Sequence, residues 1–264
     1  MKTQSALPWF GSDSEVAEQL AAKLDQCKHV SILFAGGLGI IPHLKARSIL
    51  ANDRHELAIN FYRVASGFYG KDAQSHLFER CKATLSHPGE MKLALERTDS
   101  ICRVTIAWAF WVVCWLGRKG KGGTKSQGGK PSIRRSADGG SNASRIQAAA
   151  DDLATSWATE HFPRCEWECE DFLVILPKIK DRKDCGVYAD PPWDGPGADY
   201  LHSFREEHHV QLRDGLLRFN EAKIVVRYGD TPFIRELYSG WDIEEAEFRD
   251  QVNQVKPELW ISRN

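Results

Sequence analysis

Val30-Ser31-Ile32-Leu33-Phe34-Ala35-Gly36-Gly37-Leu38-Gly39 is a short apolar run that breaks into a glycine-rich turn. The first six residues have the length and character of a buried strand. The glycines after them let the backbone turn and approach a neighbour closely. A second apolar run, residues 48–51, ends at Asn52 and Asp53. Strand, turn, helix, strand is the order of an α/β sheet. In such sheets ligands bind in the crevice at the carboxyl ends of the strands, where an acid such as Asp53 can accept bonds from ribose hydroxyls. Glycine-rich turns also occur for steric reasons alone, so a nucleotide-like cofactor and a purely structural turn both stand at this point.

Working outward, residues 13–26 place Val16, Ala17, Leu20, Ala21 and Leu24 at helical spacing, with Ser12 or Asp13 as cap. Residues 57–65, 73–85 and 90–116 also read as helical, and helicity resumes over 143–157. Residues 186–190 form a buried strand that Pro191 and Pro192 cannot continue. A helix over 198–220, a strand over 222–228, a helix over 232–238 and a last strand at 258–262 complete the expectation. Strands and helices alternate at both ends around a helical middle, which predicts an α/β sheet carrying an inserted helical domain.

The chain has 264 residues, 42% hydrophobic and 27% charged, with a formal net charge of -1. That composition excludes a disordered, collagen-like or disulfide-scaffold protein, and the length suits one domain plus an insertion. The charge is unevenly spread. Residues 117–145 hold eight basic residues and one acid, a net of +7, which leaves -8 for the rest. This segment also holds eight of the 21 glycines and few apolar residues, so it reads as a mobile loop. Seven cysteines, an odd number without a CxxC pair, suit a reducing interior. Cys165 and Cys169 lack further partners for a zinc site, and the adjacent His208 and His209 are as weak a metal pair, so no metal is expected. The amino terminus does not read as a signal peptide. Residues 101–116 are too few to span a bilayer, which takes roughly 20 residues, and Arg103 interrupts them, so a buried helix is expected.

Asp190-Pro191-Pro192-Trp193 is the more specific chemical signal. Two prolines fix the backbone so that the Asp190 carboxylate and the Pro191 carbonyl can share one small volume, beside the flat face of an indole. Two acceptors and a stacking ring suit a planar amine on an extrahelical base, since holding both amine hydrogens localises the nitrogen lone pair for attack on an electrophilic methyl. A Pro-Pro turn beside a core tryptophan is the plainer alternative.

Several separated stretches together resemble one family, the Dam-type DNA adenine methyltransferases of the α group. Pro8-Trp9-Phe10-Gly11 resembles its amino-terminal cofactor motif, and Phe34 to Gly39 resembles its Pro-Phe-x-Gly-Gly. Ala51-Asn52-Asp53 with Ile59-Asn60-Phe61-Tyr62-Arg63 resembles its next pair. Glu170-Asp171-Phe172 is similar to its acidic-aromatic pair, Asp190 to Trp193 to its catalytic motif, and Tyr228-Gly229-Asp230 with Ile234-Arg235-Glu236-Leu237-Tyr238 to its carboxyl-terminal half. The order is that of the family: cofactor first, target recognition second, catalysis last.

The resemblance implies a Rossmann-like class I methyltransferase sheet with a mainly helical target-recognition insertion. The implied division is residues 1–72 and 165–264 for the catalytic domain and 73–164 for the insertion. It implies S-adenosylmethionine as methyl donor and adenine in DNA as acceptor. By it, Trp9, Phe10, Gly11, Phe34, Ala35, Gly36 and Gly37 serve the cofactor, Asp53 its ribose, and Asp171 and Phe172 its adenine. Asp190, Pro191 and Pro192 form the catalytic motif, and Trp193 stacks on the flipped base. The basic loop falls where the family reads DNA, which assigns phosphate or guanine contacts to Arg118, Lys119, Lys121, Lys125, Lys130, Arg134 and Arg135. The expected protein is a monomer or weak dimer in the cytoplasm of a bacterial or phage-infected cell, without membrane contact.

Two departures are visible. Ile32-Leu33 stands where the family has an acid and a proline, which removes a contact to the methionine amino group. Trp193 replaces a tyrosine and gives the Asp-Pro-Pro-Trp form that resembles RNA adenine methyltransferases. An RNA methyltransferase and a catalytically silent DNA-binding relative are therefore the alternatives.

Overall fold

The computed structural model describes residues 5–12, 14–117, 123–125, 141–193, 201–249 and 255–264. The chain forms two compact units. One comprises the described residues of Met1–Ser12, Gly36–Gly39 and His55–Arg164, and the other those of Asp13–Ala35, Ile40–Arg54 and Cys165–Asn264.

The second unit holds a seven-stranded sheet: β1 His29–Ile32, β2 Ser48–Asn52, β3 Cys165–Glu168, β4 Cys185–Ala189, β5 Lys223–Gly229, β6 Asp242–Arg249 and β7 Val255–Arg263. Their order is β3-β2-β1-β4-β5-β7-β6. The first five in that order run parallel, while β7 pairs antiparallel with both β5 and β6. This is the class I methyltransferase arrangement. Strand order reverses between β1 and β4, where Ile32 pairs with Tyr188, the kind of switch point at whose carboxyl ends open α/β sheets bind ligands.

Both faces of the sheet are covered. On one, a Cβ at Gly186 would come within 2.8 Å of Leu24 Cδ2 and 2.9 Å of Cys27 Sγ, just beyond α1 (Ala17–Ala22), so a larger residue there would require these side chains to shift. The next residue, Val187, faces the opposite way. It joins the core built with Leu212 and Leu216 of a helix at Glu206–Leu217.

The first unit is helical: α2 Glu56–Ala65, α3 Lys71–Ala83, α4 Pro88–Leu95, α5 Arg103–Leu116 and α6 Asn142–Asp152, the last continuing as a π-helix over Leu153–His161. α5 is its centre, with every residue from Ala107 to Leu116 buried. The expected buried helix is present, although Ile101 lies outside it, fully exposed. The Trp108 indole donates to Thr84 Oγ1 at 2.8 Å, and the Arg80 guanidinium lies 3.9 Å from the same ring. No helix among the described residues is long and apolar enough to cross a membrane.

Several local expectations need correction. The helix expected over 90–116 is two helices, because Thr98 Oγ1 donates to the Leu95 carbonyl and Ser100 Oγ accepts from Cys102 N, side-chain bonds that compete with helix continuation. α1 is shorter than residues 13–26 and starts after Val16, without a side-chain cap. The helix expected from residue 198 begins at Glu206; it is α8, after the single turn α7 at Phe172–Ile175. At its start Arg205 N donates to His208 Nδ1 at 2.8 Å. Strands β3 and β6 were not anticipated. Their sequences, CEWE and DIEEAEFR, are charged because they sit at the two sheet edges.

Candidate active site

Asp190 follows β4 directly, beside the end of β1. Its Oδ2 accepts a bond from Arg227 Nη1 at 3.0 Å, and its Oδ1 accepts one from Trp193 Nε1 at 3.3 Å. Arg227 lies on β5, which is buried from Ile224 to Tyr228 because it is central to the sheet. The guanidinium also reaches β7. Its Nε and Nη2 donate to Glu258 Oε2 at 3.0 and 2.7 Å, while Glu258 Oε1 accepts from Trp260 Nε1 at 2.6 Å. Side-chain exposure is 1% for Arg227, 0% for Glu258 and 15% for Asp190. Burial works against the charge on Arg227, but the carboxylates of Asp190 and Glu258 outweigh it and hold its pKa above the ordinary arginine range.

The Trp193 ring rests against Gly229 at the end of β5, where a Cβ would stand 2.8 Å from Trp193 Cε3. Arg227 lies 5.0 Å from the same ring. Arg227 and Glu258 were not among the residues singled out from sequence. The available signal was a charge placed within the apolar run 222–228 and another in the final strand.

The neighbouring strand ends are joined by Asn52. Its Nδ2 donates to the carbonyls of Leu33 (3.1 Å) and Glu170 (3.0 Å), its Oδ1 accepts from Glu170 N, and its own carbonyl accepts from Ala35 N at 2.8 Å. This fixes the chain after β1, β2 and β3. Asp53, half-buried, follows β2 with its N–H on the Glu168 carbonyl. Asp171 caps α7 through Leu173 N at 3.0 Å and pairs with Arg54 at 3.2 Å. Phe172 is buried, with its ring 5.5 Å from Phe34 and 5.7 Å from Phe204. Phe34, Ala35, Asp53, Asp171, Phe172 and Asp190 thus stand at the carboxyl ends of four adjacent strands. Ile32 and Leu33 are both buried apolar side chains.

Trp9, Phe10, Gly11, Gly36 and Gly37 belong to the helical unit. Trp9 packs on the glycine turn: a Cβ at Gly36 would lie 3.1 Å from its ring, and one at Gly37 would collide with the Leu7 carbonyl at 2.6 Å and Trp9 Cβ at 2.8 Å. Ala6 N donates to the Gly37 carbonyl at 3.1 Å, and the Tyr62 hydroxyl donates to that of Gly36. Gly36 has φ +49°, which favours glycine. The turn therefore has reasons internal to the chain for its glycines. The other side of Trp9 meets His55 edge-on at 5.5 Å and Gly123, whose Cβ would fall 2.4 Å from the ring.

Of the basic residues assigned to DNA, Lys125 lies in an exposed turn beside this contact. Arg118, Lys119, Lys121, Lys130, Arg134 and Arg135 lie outside the described residues. Arg145, also counted in the basic segment, donates to the Trp115 carbonyl at 3.1 Å near the end of α5, where a cation is favourable. His209 is buried against the Tyr228 hydroxyl at 2.8 Å, while His208 takes part in the start of α8.

A family profile described as D12 class N6 adenine-specific DNA methyltransferase matches residues 9–252 of the chain. The chain belongs to this family. Among curated relatives, a type II methyltransferase, M.CviBI of Paramecium bursaria Chlorella virus NC1A, is 40% identical over 62 residues, or 23% of this chain and 24% of that relative. The matched stretch thus spans about a quarter of the viral protein's length. Among solved structures, an uncharacterized protein from Listeria monocytogenes serotype 4b aligns over 95% of this chain and 67% of its own, with 11% identity and a TM-score of 0.39. In this D12 member the match takes in the motif stretches from Trp9 to Asp230 and the intervening helical unit.

Proposed function

We propose that this D12 family member transfers a methyl group from S-adenosylmethionine to the exocyclic amine of adenine in DNA, after the base has left the duplex. The observation that carries the reading is Asp190 and Trp193, held at the end of β4, beside Phe34 and Ala35 at the end of β1, across the point where strand order reverses.

The residues fit a nucleoside cofactor. Asp53 at the end of β2 suits a ribose diol, and Asp171 with Phe172 suits an adenine. Phe34, Ala35, Gly36 and Gly37 serve the methionine end, and Trp9, Phe10 and Gly11 belong to the amino-terminal cofactor motif. When bound, S-adenosylmethionine supplies an electrophilic methyl on a sulfonium. Asp190 and the Pro191 carbonyl accept the hydrogens of the target amine, Pro192 keeps the turn rigid, and Trp193 stacks on the flipped base. On methyl transfer the amine nitrogen would give its extra proton to water, so that Asp190 would serve as an acceptor for the amine hydrogens and not as a strong base. The basic segment, with Arg118, Lys119, Lys121, Lys125, Lys130, Arg134 and Arg135, carries the DNA phosphates, which makes the helical unit the target reader.

Labelled methyl incorporation into duplex DNA, compared with RNA, tests the reading. Incorporation into RNA alone would favour the RNA enzyme that the Trp193 form permits. The buried Ile32 and Leu33 favour a second reading, a silent DNA-binding relative. Calorimetric titration with S-adenosylmethionine separates the two, because a silent protein gives no binding heat.

A further inference from the structure

Arg227 takes no part in the sequence motifs, yet it is a charged group almost wholly buried at the site. Its planar fork addresses two carboxylates at once, Glu258 through Nε and Nη2 and Asp190 through Nη1. We propose that Arg227, braced by Glu258, is a positioning residue: it fixes the Asp190 carboxylate and the Trp193 ring in the arrangement that receives the target base. The catalytic consequence rests on the methyltransferase reading above; the geometric claim does not.

Stability alone does not account for this network. Replacing a buried ion pair by apolar groups of similar volume is often neutral or stabilising. What apolar packing cannot do is orient a carboxylate. Arg227 takes Oδ2 at 3.0 Å, whereas the bond to Oδ1 from Trp193 Nε1 is longer, at 3.3 Å. Both oxygens of Asp190 are thus held, Oδ2 by the guanidinium and Oδ1 by the indole N–H. The Trp193 ring is set by the same residues. It is bonded through its N–H to Asp190, has Arg227 at 5.0 Å, and is seated on the bare backbone of Gly229. An Asp190 paired in this way acts as an acceptor rather than as a base, which agrees with the proton leaving to water.

The test pairs Arg227→Met with Glu258→Gln, which leaves no charge at the fully buried Glu258, while Asp190, 15% exposed, loses its cation and keeps the Trp193 bond. Folding and S-adenosylmethionine binding are expected to persist, while kcat falls about 100-fold with the DNA KM changed by less than about threefold. A second readout needs no turnover. In protein labelled with 5-fluorotryptophan, the ¹⁹F resonance of Trp193, assigned by its loss in Trp193→Phe, is expected to shift or broaden in the double variant. Lines other than those of Trp193 and Trp260 should stay in place. Arg227→Lys keeps the charge but loses the fork, is expected to show the same two effects, and serves if the double variant does not fold. A folded variant with native kcat, or an unmoved Trp193 line, overturns the proposal. If the native chain methylates no nucleic acid, the functional reading fails while the Trp193 line still decides the positioning claim.

Discussion

At Asp190 chemistry and packing make opposite demands: the carboxylate has to meet an amine, yet its charge sits at the edge of the core. Arg227 resolves the conflict by holding one oxygen, and Glu258 keeps Arg227 balanced when the other is engaged. Asp190→Ala is therefore expected to abolish methyl transfer while leaving Arg227 paired, at a cost of about 1–3 kcal/mol in denaturant unfolding. Activity in that variant equal to the native protein would refute the mechanism. Gly229 is as specific a choice. Gly229→Ala drives a methyl into the Trp193 ring, so turnover should fall by about tenfold or more, with stability reduced by about 1–3 kcal/mol. Steady-state kinetics beside a thermal melt distinguish this from general unfolding.

Among the elements, β5 carries the greatest functional weight, since it places Arg227 inside and Gly229 at its open end. The turn after it is tied by a second arginine. Arg235 of α9 (Pro232–Leu237) forms a two-pronged pair with Asp230 at 2.6 and 2.7 Å and reaches Glu245 of β6 at 2.7 Å. Hydrogen bonding to Arg235 lowers the Asp230 pKa. A depressed acid stabilises the fold above its unfolded pKa and loses that contribution as pH falls through the folded value. Melting temperatures of the native protein and Asp230→Asn should thus differ at neutral pH and converge in acid. The difference should be small and should shrink as salt is added, because the pair is partly exposed to solvent. A gap that persists in acid would rule out the ion pair as its source.

At the scale of the whole molecule, the near-zero net charge is a cancellation between a +7 segment and a -8 remainder. Neutralising Lys130, Arg134 and Arg135 together should weaken DNA binding and lower the slope of log affinity against log salt by about 0.9 for each phosphate left without its cation. Filter binding over a salt series would measure it, and an unchanged slope would remove this segment from the interface. The sequence by itself determined the alternating strands and helices, the buried α5, and the places of Asp53 and Asp190 directly after strands. Such features are local: periodicity, turn chemistry and a proline stop act within a few residues. Only the tertiary structure decided that the charged stretches CEWE and DIEEAEFR are edge strands, that Trp9 occupies the space the glycine turn leaves, and that Arg227 joins Asp190 to Glu258. A charge can enter a core only where its partners meet it, and those partners come from β4, β5 and β7, which chain topology rather than local pattern brings together.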